Sequence, residues 1–515
     1  RPANAKVGQH SLGFYAQDTW KATRKLTLDY GLRYDYSSYQ KEQYGRQPTL
    51  DPLAPNPAAG GRLGATTYEA TCGCQYASGY PWAFGPRLGA AYQIDRKTVI
   101  RGGFGVIYNT SARIGIGTRN IGSANPFEVP AFGLPAMVLE TGVPLTLSQI
   151  AWPNFDPGYY PIFGRSPGSG PPNVFDQNAA RPARQLQWSI GLQRQILRDL
   201  VVEAAYVGNR GVWWPGNAAV NYNTNRPQDL RTLGIDVNNP ADVTLLNMPI
   251  SSAAVRARGF GLPFPSFSPN ATLAQALRPY PQFNAGLGPQ FAPLASTWYD
   301  SLQMKVTKRF SHGLDFTYAF TFQKTLQFGT SSINDVWNRP ANKSLDPGDQ
   351  RFTSVFAFNY TVQRLNQINR VASYVLSDWQ IGGIVSYASG FPIPVPGAQN
   401  NLNTILFQNT RANRVEGQPL FLKDLNGEFD PNKDFVLNPA AWAQPGPGQW
   451  GVSAPFYNDF RYQRRPSEAM NFGRNFRFRE RLNFQARVEF TNIFNRTQAP
   501  NPVATNALAT QTRNP

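Results

Sequence analysis

The chain has 515 residues, with 16% charged and 13% aromatic side chains and 45 Gly and 44 Pro. So much Gly and Pro excludes a helical protein, because both residues are costly in helix interiors, and no stretch nears the 18 uninterrupted apolar residues of a spanning helix. The net charge of +18 comes from scattered rather than clustered basic residues. That pattern speaks against nucleic acid and for contact with anionic lipid head groups or an anionic solute.

In chain order, Arg1-Pro2-Ala3-Asn4 lacks the profile of an export signal, as expected of a mature, clipped or incompletely recovered chain. Phe14 to Trp20 and Leu26 to Tyr36 form the first expected hairpin. From Leu26 to Tyr34 every even position is apolar or aromatic and every odd one is polar or Gly. A period of two is the signature of a strand with two unlike faces. Cys72 and Cys74, one residue apart, either close a small ring or remain thiols. Leu88 to Ile94 and Val99 to Tyr108 make a second hairpin. Leu186 to Ile196 with Leu200 to Val207, and Leu302 to Phe310 with Leu314 to Phe322, make the third and fourth. Phe472 to Phe478 meets the strand that starts at Leu482 across Arg479-Glu480-Arg481, and Leu482 to Phe490 alternates again. Each pair is joined by a short polar turn.

The connections between hairpins are expected to be long loops. They run from about Ser37 to Tyr80, Thr110 to Arg181, Gly211 to Ser296 and Phe391 to Arg465, and are rich in Pro, Gly and Asn, as in Pro161 to Pro172. Such loops do not suit a compact soluble domain. Short turns alternating with very long loops are what a bacterial outer-membrane barrel shows, with turns periplasmic and loops extracellular. The expected fold is therefore all-β, a transmembrane antiparallel β-barrel of roughly twelve to fourteen strands in this chain, since read boundaries are soft. A closed barrel satisfies every backbone N–H and C=O, so it can cross lipid. Its mean hydropathy of −0.40 reads as soluble only because every second strand residue faces lipid. Aromatics near strand ends, Tyr15, Trp20, Tyr34, Tyr36, Trp298, Tyr299, Tyr360 and Trp379, are the candidate membrane-interface residues. The competing expectation is that these rings pack the core of a β-sandwich.

Several stretches carry a resemblance. Ser11 to Trp20, with its aromatic-x-Gln-Asp-x-Trp pattern, is followed by Leu26-Thr27-Leu28 and Gly31-Leu32-Arg33-Tyr34-Asp35. Further on come Asp349-Gln350-Arg351-Phe352, Trp379 to Ile384, Ser389-Gly390-Phe391-Pro392, Phe476 to Phe484 and Glu489 to Asn495. The chain resembles, over nearly its whole length, the barrel portion of TonB-dependent receptors of the Oar-like branch. The resemblance implies a parent barrel of about 22 strands filled by a plug, with a TonB box ahead of it. It implies the TonB complex as a partner through an N-terminal region, besides outer-membrane lipid, lipopolysaccharide and an extracellular ligand. Residues 1–515 are expected to be barrel alone, with plug and N-terminal domains absent, and Ala499 to Pro515 reads as a polar loop rather than a closing strand.

Sites for chemistry are not legible. His10 and His312 are far apart, which disfavours a His-based metal site or a Ser-His-Asp triad. Gly102-Gly103-Phe104-Gly105 lies mid-strand and reads as close packing rather than a phosphate loop. Asp346-Pro347-Gly348-Asp349 reads as a turn before it reads as a calcium loop. The Asn109-Thr110-Ser111 sequon carries little weight. Arg464-Arg465 and Arg474, Arg477, Arg479 and Arg481 form the densest basic cluster, and the latter four read as a solvated turn if they sit at the periplasmic rim or in the lumen. No catalytic residue, cofactor or metal ligand is assigned. The leading expectation is uptake of a bulky solute, such as an oligosaccharide or peptide, through a plugged barrel. The alternative is a structural or adhesive surface protein that uses its loops without import.

Overall fold

A computed structural model describes residues 7–109, 174–478 and 482–497, apart from positions 44, 46, 47, 74, 217, 218, 284, 285, 330–334, 364–368, 399, 401, 431 and 432. The expected loop Thr110 to Arg181 for most of its length, its Pro161 to Pro172 stretch, the turn 479–481, Cys74 and the tail from Ala499 lie outside the described residues.

Wherever apolar and polar residues alternate, the chain is extended. Twelve long strands follow one another: β1 (Ser11–Trp20), β2 (Leu26–Ser37), β3 (Phe84–Asp95), β4 (Thr98–Tyr108), β5 (Arg184–Leu197), β6 (Leu200–Trp214), β7 (Ala295–Ser311), β8 (Leu314–Phe328), β9 (Phe352–Thr361), β10 (Trp379–Ala388), β11 (Arg465–Phe478) and β12 (Leu482–Thr491). Each pairs antiparallel with its neighbours in sequence, giving a 13-stranded meander in which Ser344–Leu345 adds a short rung beside β8. Such nearest-neighbour topology needs only hairpins. Among the described residues β1 pairs only with β2 and β12 only with β11.

The turns at one end are short because their residues suit tight reversal. Between β7 and β8, His312 (φ 52°) and Gly313 (φ 83°) both take the left-handed conformation that a two-residue hairpin turn requires. Between β3 and β4, Asp95 accepts from the Lys97 N–H at 2.7 Å and the Thr98 hydroxyl at 3.0 Å, a side-chain-closed turn.

At the other end the long connections are not structureless, as expected from their composition, but carry packed cores of their own. The link after β6 holds α2 (Pro227–Thr232), α3 (Pro240–Asn247), α4 (Ala253–Ala257) and α5 (Leu273–Ala276), and α7 (Leu402–Ile405) comes from the link after β10. Two earlier short elements are the four-residue α1 (Glu69–Cys72) and the loop hairpin Pro48–Asn56 with Arg62–Tyr68. The reason these helices escape a composition reading is that their start signals are buried in a Pro-rich context. Pro227 and Pro240 occupy first helical positions, where proline is favoured. Asn239, Ser252 and Thr272 each cap a helix through the side chain.

The location of burial decides between barrel and sandwich. The buried apolar clusters are built from loop residues, for example Leu230, Ile235, Leu246, Leu273 and Leu406 in one and Ile393, Val436 and Phe460 in another. The large apolar residues of the strands, such as Phe14, Leu88, Ile190, Leu302 and Phe484, are instead exposed. A sandwich would bury one strand face; this sheet buries neither.

Candidate functional site: the two faces of the sheet and the loop cap

Strand register assigns every side chain to a face. Leu28, Ala90, Gly102, Ile190, Tyr206, Leu302, Phe322 and Phe352 follow one another across eight strands as Cα partners. On the later strands Tyr360, Ile381, Phe472 and Val488 continue the same face. The opposite face carries Arg33, which lies between Tyr15 and Gly85, and Arg87, Arg101, Glu203, Lys305 and Asp315, each paired in register with small or polar neighbours. Arg33 holds Asp35 through two bonds from Nε, 2.9 and 2.8 Å, and Gln485 reaches Gln380 two strands away at 3.0 Å. This polar face is concave at β1–β3, where a hollow of about 760 Å³ is bordered by Gln17, Asp29, Arg33 and Arg87.

Charged residues interrupt the apolar face only toward strand ends. On β7 Asp300, bonded by the Tyr206 hydroxyl at 2.5 Å, marks one limit and Lys308 the other. Between them lie Leu302, Met304 and Val306. Eight residues at ~3.4 Å each make about 27 Å along the strand, or about 20 Å along the normal at a tilt near 40°. That is of the order of the roughly 25 Å apolar band of an outer-membrane barrel. At the Lys308 end, hydrogen bonds from Lys308 and Ser311 hold the Asp199 carboxyl at about 2, below its ordinary range.

Six of the eight candidate interface aromatics fall on the apolar face. Trp20, Tyr360 and Trp379 sit at its short-turn end, and Tyr34, Tyr36 and Trp298 at its long-loop end. Tyr15 and Tyr299 fall on the polar face, Tyr15 opposite Arg33 and Tyr299 donating to Gln323 at 2.9 Å. Their positions next to Phe14 and Trp298 show why: adjacent strand residues point to opposite faces. Trp298 is overlaid by Arg210 at 4.6 Å and Lys343 at 4.0 Å, a cation–aromatic stack at the long-loop end.

Above the long-loop end, three connections interlock. Asn225 donates to the carbonyls of Ala274 and Ile405, both at 2.9 Å, and Thr224 donates to Leu406. Gln282 donates to Leu63 and Gly64 at 3.0 and 2.9 Å, so the links after β2, β6 and β10 are tied together. The Arg278 guanidinium packs over Phe407 at 3.3 Å, and burial lowers its pKa to about 10, which still leaves it charged at neutral pH.

Two of the resemblance motifs meet at the rim. Arg461, in the link before β11, bonds the Asp349 carboxylate at 2.5 Å, the Asp349 carbonyl at 2.8 Å and the Gly390 carbonyl at 3.2 Å. Asp349 also accepts from the Thr325 N–H at 2.6 Å, and Gln350 donates to the Ser389 carbonyl at 3.2 Å. A Cβ on Gly390 would lie 1.9 Å from the Tyr462 carbonyl oxygen, so only glycine fits. Asp346-Pro347-Gly348-Asp349 is a turn, closed by the Gly348 and Asp349 N–H groups on Asp346. Beside the clamp a cleft of about 480 Å³ is lined by Arg351, Lys423, Asp424, Asp459 and Arg464. Sequence reading missed the clamp because Arg461 is 112 residues from Asp349. Gly102 to Gly105 lie within β4, as expected. Cys72 is disulfide-bonded.

A one-sided apolar sheet with polar interior face, short turns below and a folded cap above defines a membrane β-barrel wall of the outer-membrane type. The chain belongs to the outer membrane beta barrel domain family, whose model matches residues 1–514, and this places it in the bacterial outer membrane. No curated protein sequence matches it. Similar solved structures include the ferric-catecholate import receptor Fiu from Escherichia coli K12, at 10% identity and TM-score 0.39, covering 96% of this chain and 41% of that one. Pseudomonas aeruginosa FpvA bound to heterologous pyoverdines gives 10%, 0.38, 99% and 38% for the same quantities. The alcaligin receptor FauA from Bordetella pertussis gives 10%, 0.33, 94% and 43%. The chain thus spans about two fifths of the length of these structures.

Proposed function

We propose that this chain is barrel wall and extracellular cap of a TonB-dependent receptor that imports a bulky solute, such as an oligosaccharide or peptide, past a plug. The observation that carries the reading is the pairing of a polar, mixed-charge inner face with rim joints built from the resemblance motifs. Arg33, Arg87, Asp29 and Glu203 offer a plug both signs of charge, and the clamp of Asp349, Gly390 and Arg461 holds the cap over the wall. The interlocked cap, with its cleft lined by charges of both signs, supports capture of solute from outside. The six apolar-face aromatics form its membrane-interface belts, with phospholipid at the short-turn end and lipopolysaccharide at the long-loop end. TonB acts on the parent protein through a segment N-terminal to this wall.

The test is the structure of the parent protein taken from native outer membrane with its lumen resolved. A plug supplied by the same polypeptide and contacting Arg33 and Arg87 supports import. A lumen that is empty, or filled by another protein, overturns it and favours a structural or adhesive surface role.

A further inference from the structure

At the short-turn end the link from β9 to β10 breaks the pattern. The turns 96–97, 198–199 and 312–313 have two residues each, whereas 362–378 contains the helix α6 (Arg370–Leu376). This helix is inside-out. Val371, Tyr374, Val375 and Leu376 are exposed, Val371 by 73%, while Ala372 and Ser373 are half-buried and Ser377 is buried. A helix that turned this side to water would hide its small residues and display its large apolar ones, the reverse of what a soluble surface selects.

The helix is fastened to the apolar face of the sheet, not to the polar one. Trp379 donates its indole N–H to the Val375 carbonyl at 2.9 Å, and Arg474 donates to the Tyr374 carbonyl. Trp379 and Arg474 are Cα partners on the lipid-facing side. The Arg474 guanidinium lies 5.2 Å from the Tyr374 ring centre, 5.4 Å from that of Trp379 and 4.7 Å from that of Phe476. Its Nε is buried without a hydrogen-bond partner among the described residues, and no carboxylate pairs with it there.

We propose that α6 lies in the plane of the membrane at the periplasmic interface, with Val371, Tyr374, Val375 and Leu376 in the acyl region of the phospholipid leaflet. Two observations select lipid as the occupant. The exposed stripe is continuous with the bilayer-facing wall through Trp379 and Phe476, and Arg474 beside it complements anionic head groups. Amphipathic helices bind interfaces through this combination of apolar area and positive charge. The inference rests on the outer-membrane topology, with short turns periplasmic.

The test uses the full-length protein in nanodiscs of phosphatidylethanolamine and phosphatidylglycerol, with nitroxide labels at Val371→Cys, Val375→Cys, Phe484→Cys and Arg96→Cys in separate variants. Labels at 371 and 375 are expected to collide more with oxygen than with a water-soluble nickel chelate, as at 484, and the turn label at 96 is expected to do the reverse. If 484 is lipid-accessible while 371 and 375 behave like 96, α6 is not in the membrane and the inference fails alone. If 484 is also water-exposed, the barrel topology fails with it. Protection of 371 and 375 that appears only on adding soluble periplasmic extract assigns the helix to a protein partner and overturns the lipid assignment.

Discussion

Arg461→Met is expected to loosen the cap where it joins the barrel wall. The Asp349 side chain is 1% exposed and that of Arg461 11%. Five guanidinium contacts are lost: Asp349 Oδ2, the carbonyls of Asp349, Gly390 and Asn458, and Asn458 Oδ1. Methionine fills much of the space, so the cost is chiefly electrostatic. It leaves a buried carboxylate with the Thr325 N–H as its remaining described partner. Removing one member of a buried ion pair costs about 3–5 kcal/mol. Asp349→Asn keeps a carbonyl oxygen for Thr325 and leaves Arg461 its carbonyl acceptors, so about 1.5–3 kcal/mol is expected, the range of a charged hydrogen bond. The double variant no longer buries an unpaired charge, and its cost should fall short of the sum by about 0.5–3 kcal/mol. Because the joint ties a loop to the wall, the assay is hydrogen exchange of segment 389–464 in the detergent-solubilised protein, which reads local opening. Strictly additive effects, or protection in Arg461→Met equal to that of the parent, would refute the clamp.

Four further outcomes are expected. Met304→Arg, midway between Asp300 and Lys308 on β7, should cost about 2–4 kcal/mol near the bilayer midplane, whereas Gln303→Arg, one residue earlier but facing the interior, should be tolerated; equal costs in a lipid-vesicle folding titration would contradict the assignment of faces. An epitope tag inserted after Gly417, which is exposed with φ 79°, should be stained on intact cells, and a tag after Arg198 only after permeabilisation; the opposite staining would invert the topology. Gly448 has φ 68° and its Cβ would meet the Val237 carbonyl oxygen at 1.9 Å, so Gly448→Ala should open the cap at a cost of about 1–3 kcal/mol, visible as faster proteolysis of the links 215–294 and 389–464. Asp199 titrates near 2 in the folded protein against 3.8 ordinarily. Its contribution is therefore complete above about pH 4–5 and is lost as pH falls toward 2. The unfolding-midpoint gap between the parent and Asp199→Asn should close over that window, and a gap independent of pH would remove Lys308 and Ser311 as its cause.

The sequence by itself determined ten of the twelve long strands, all but β9 and β10, and that neighbours within each face opposite ways. A period of two is local information: Leu26 to Tyr34 and Leu482 to Phe490 announce their two faces without reference to any other segment, and Gly313 or Asp95 announces its turn. The same locality made the resemblance motifs readable while hiding their purpose. That Asp349, Gly390 and Arg461 form one joint depends on contacts between segments far apart in the chain. The cap helices were illegible for a related reason. Each is four to eight residues long, too short to stand alone, and is stabilised only when Leu230, Leu246, Leu273 and Leu406 meet in one core. Only the tertiary structure decided that Tyr15 and Tyr299 leave the apolar face, since register fixes parity where composition near a strand end cannot. Only it showed that α6 turns its apolar side away from the protein, because an amphipathic stripe in sequence has no direction until the element that covers its other side is known.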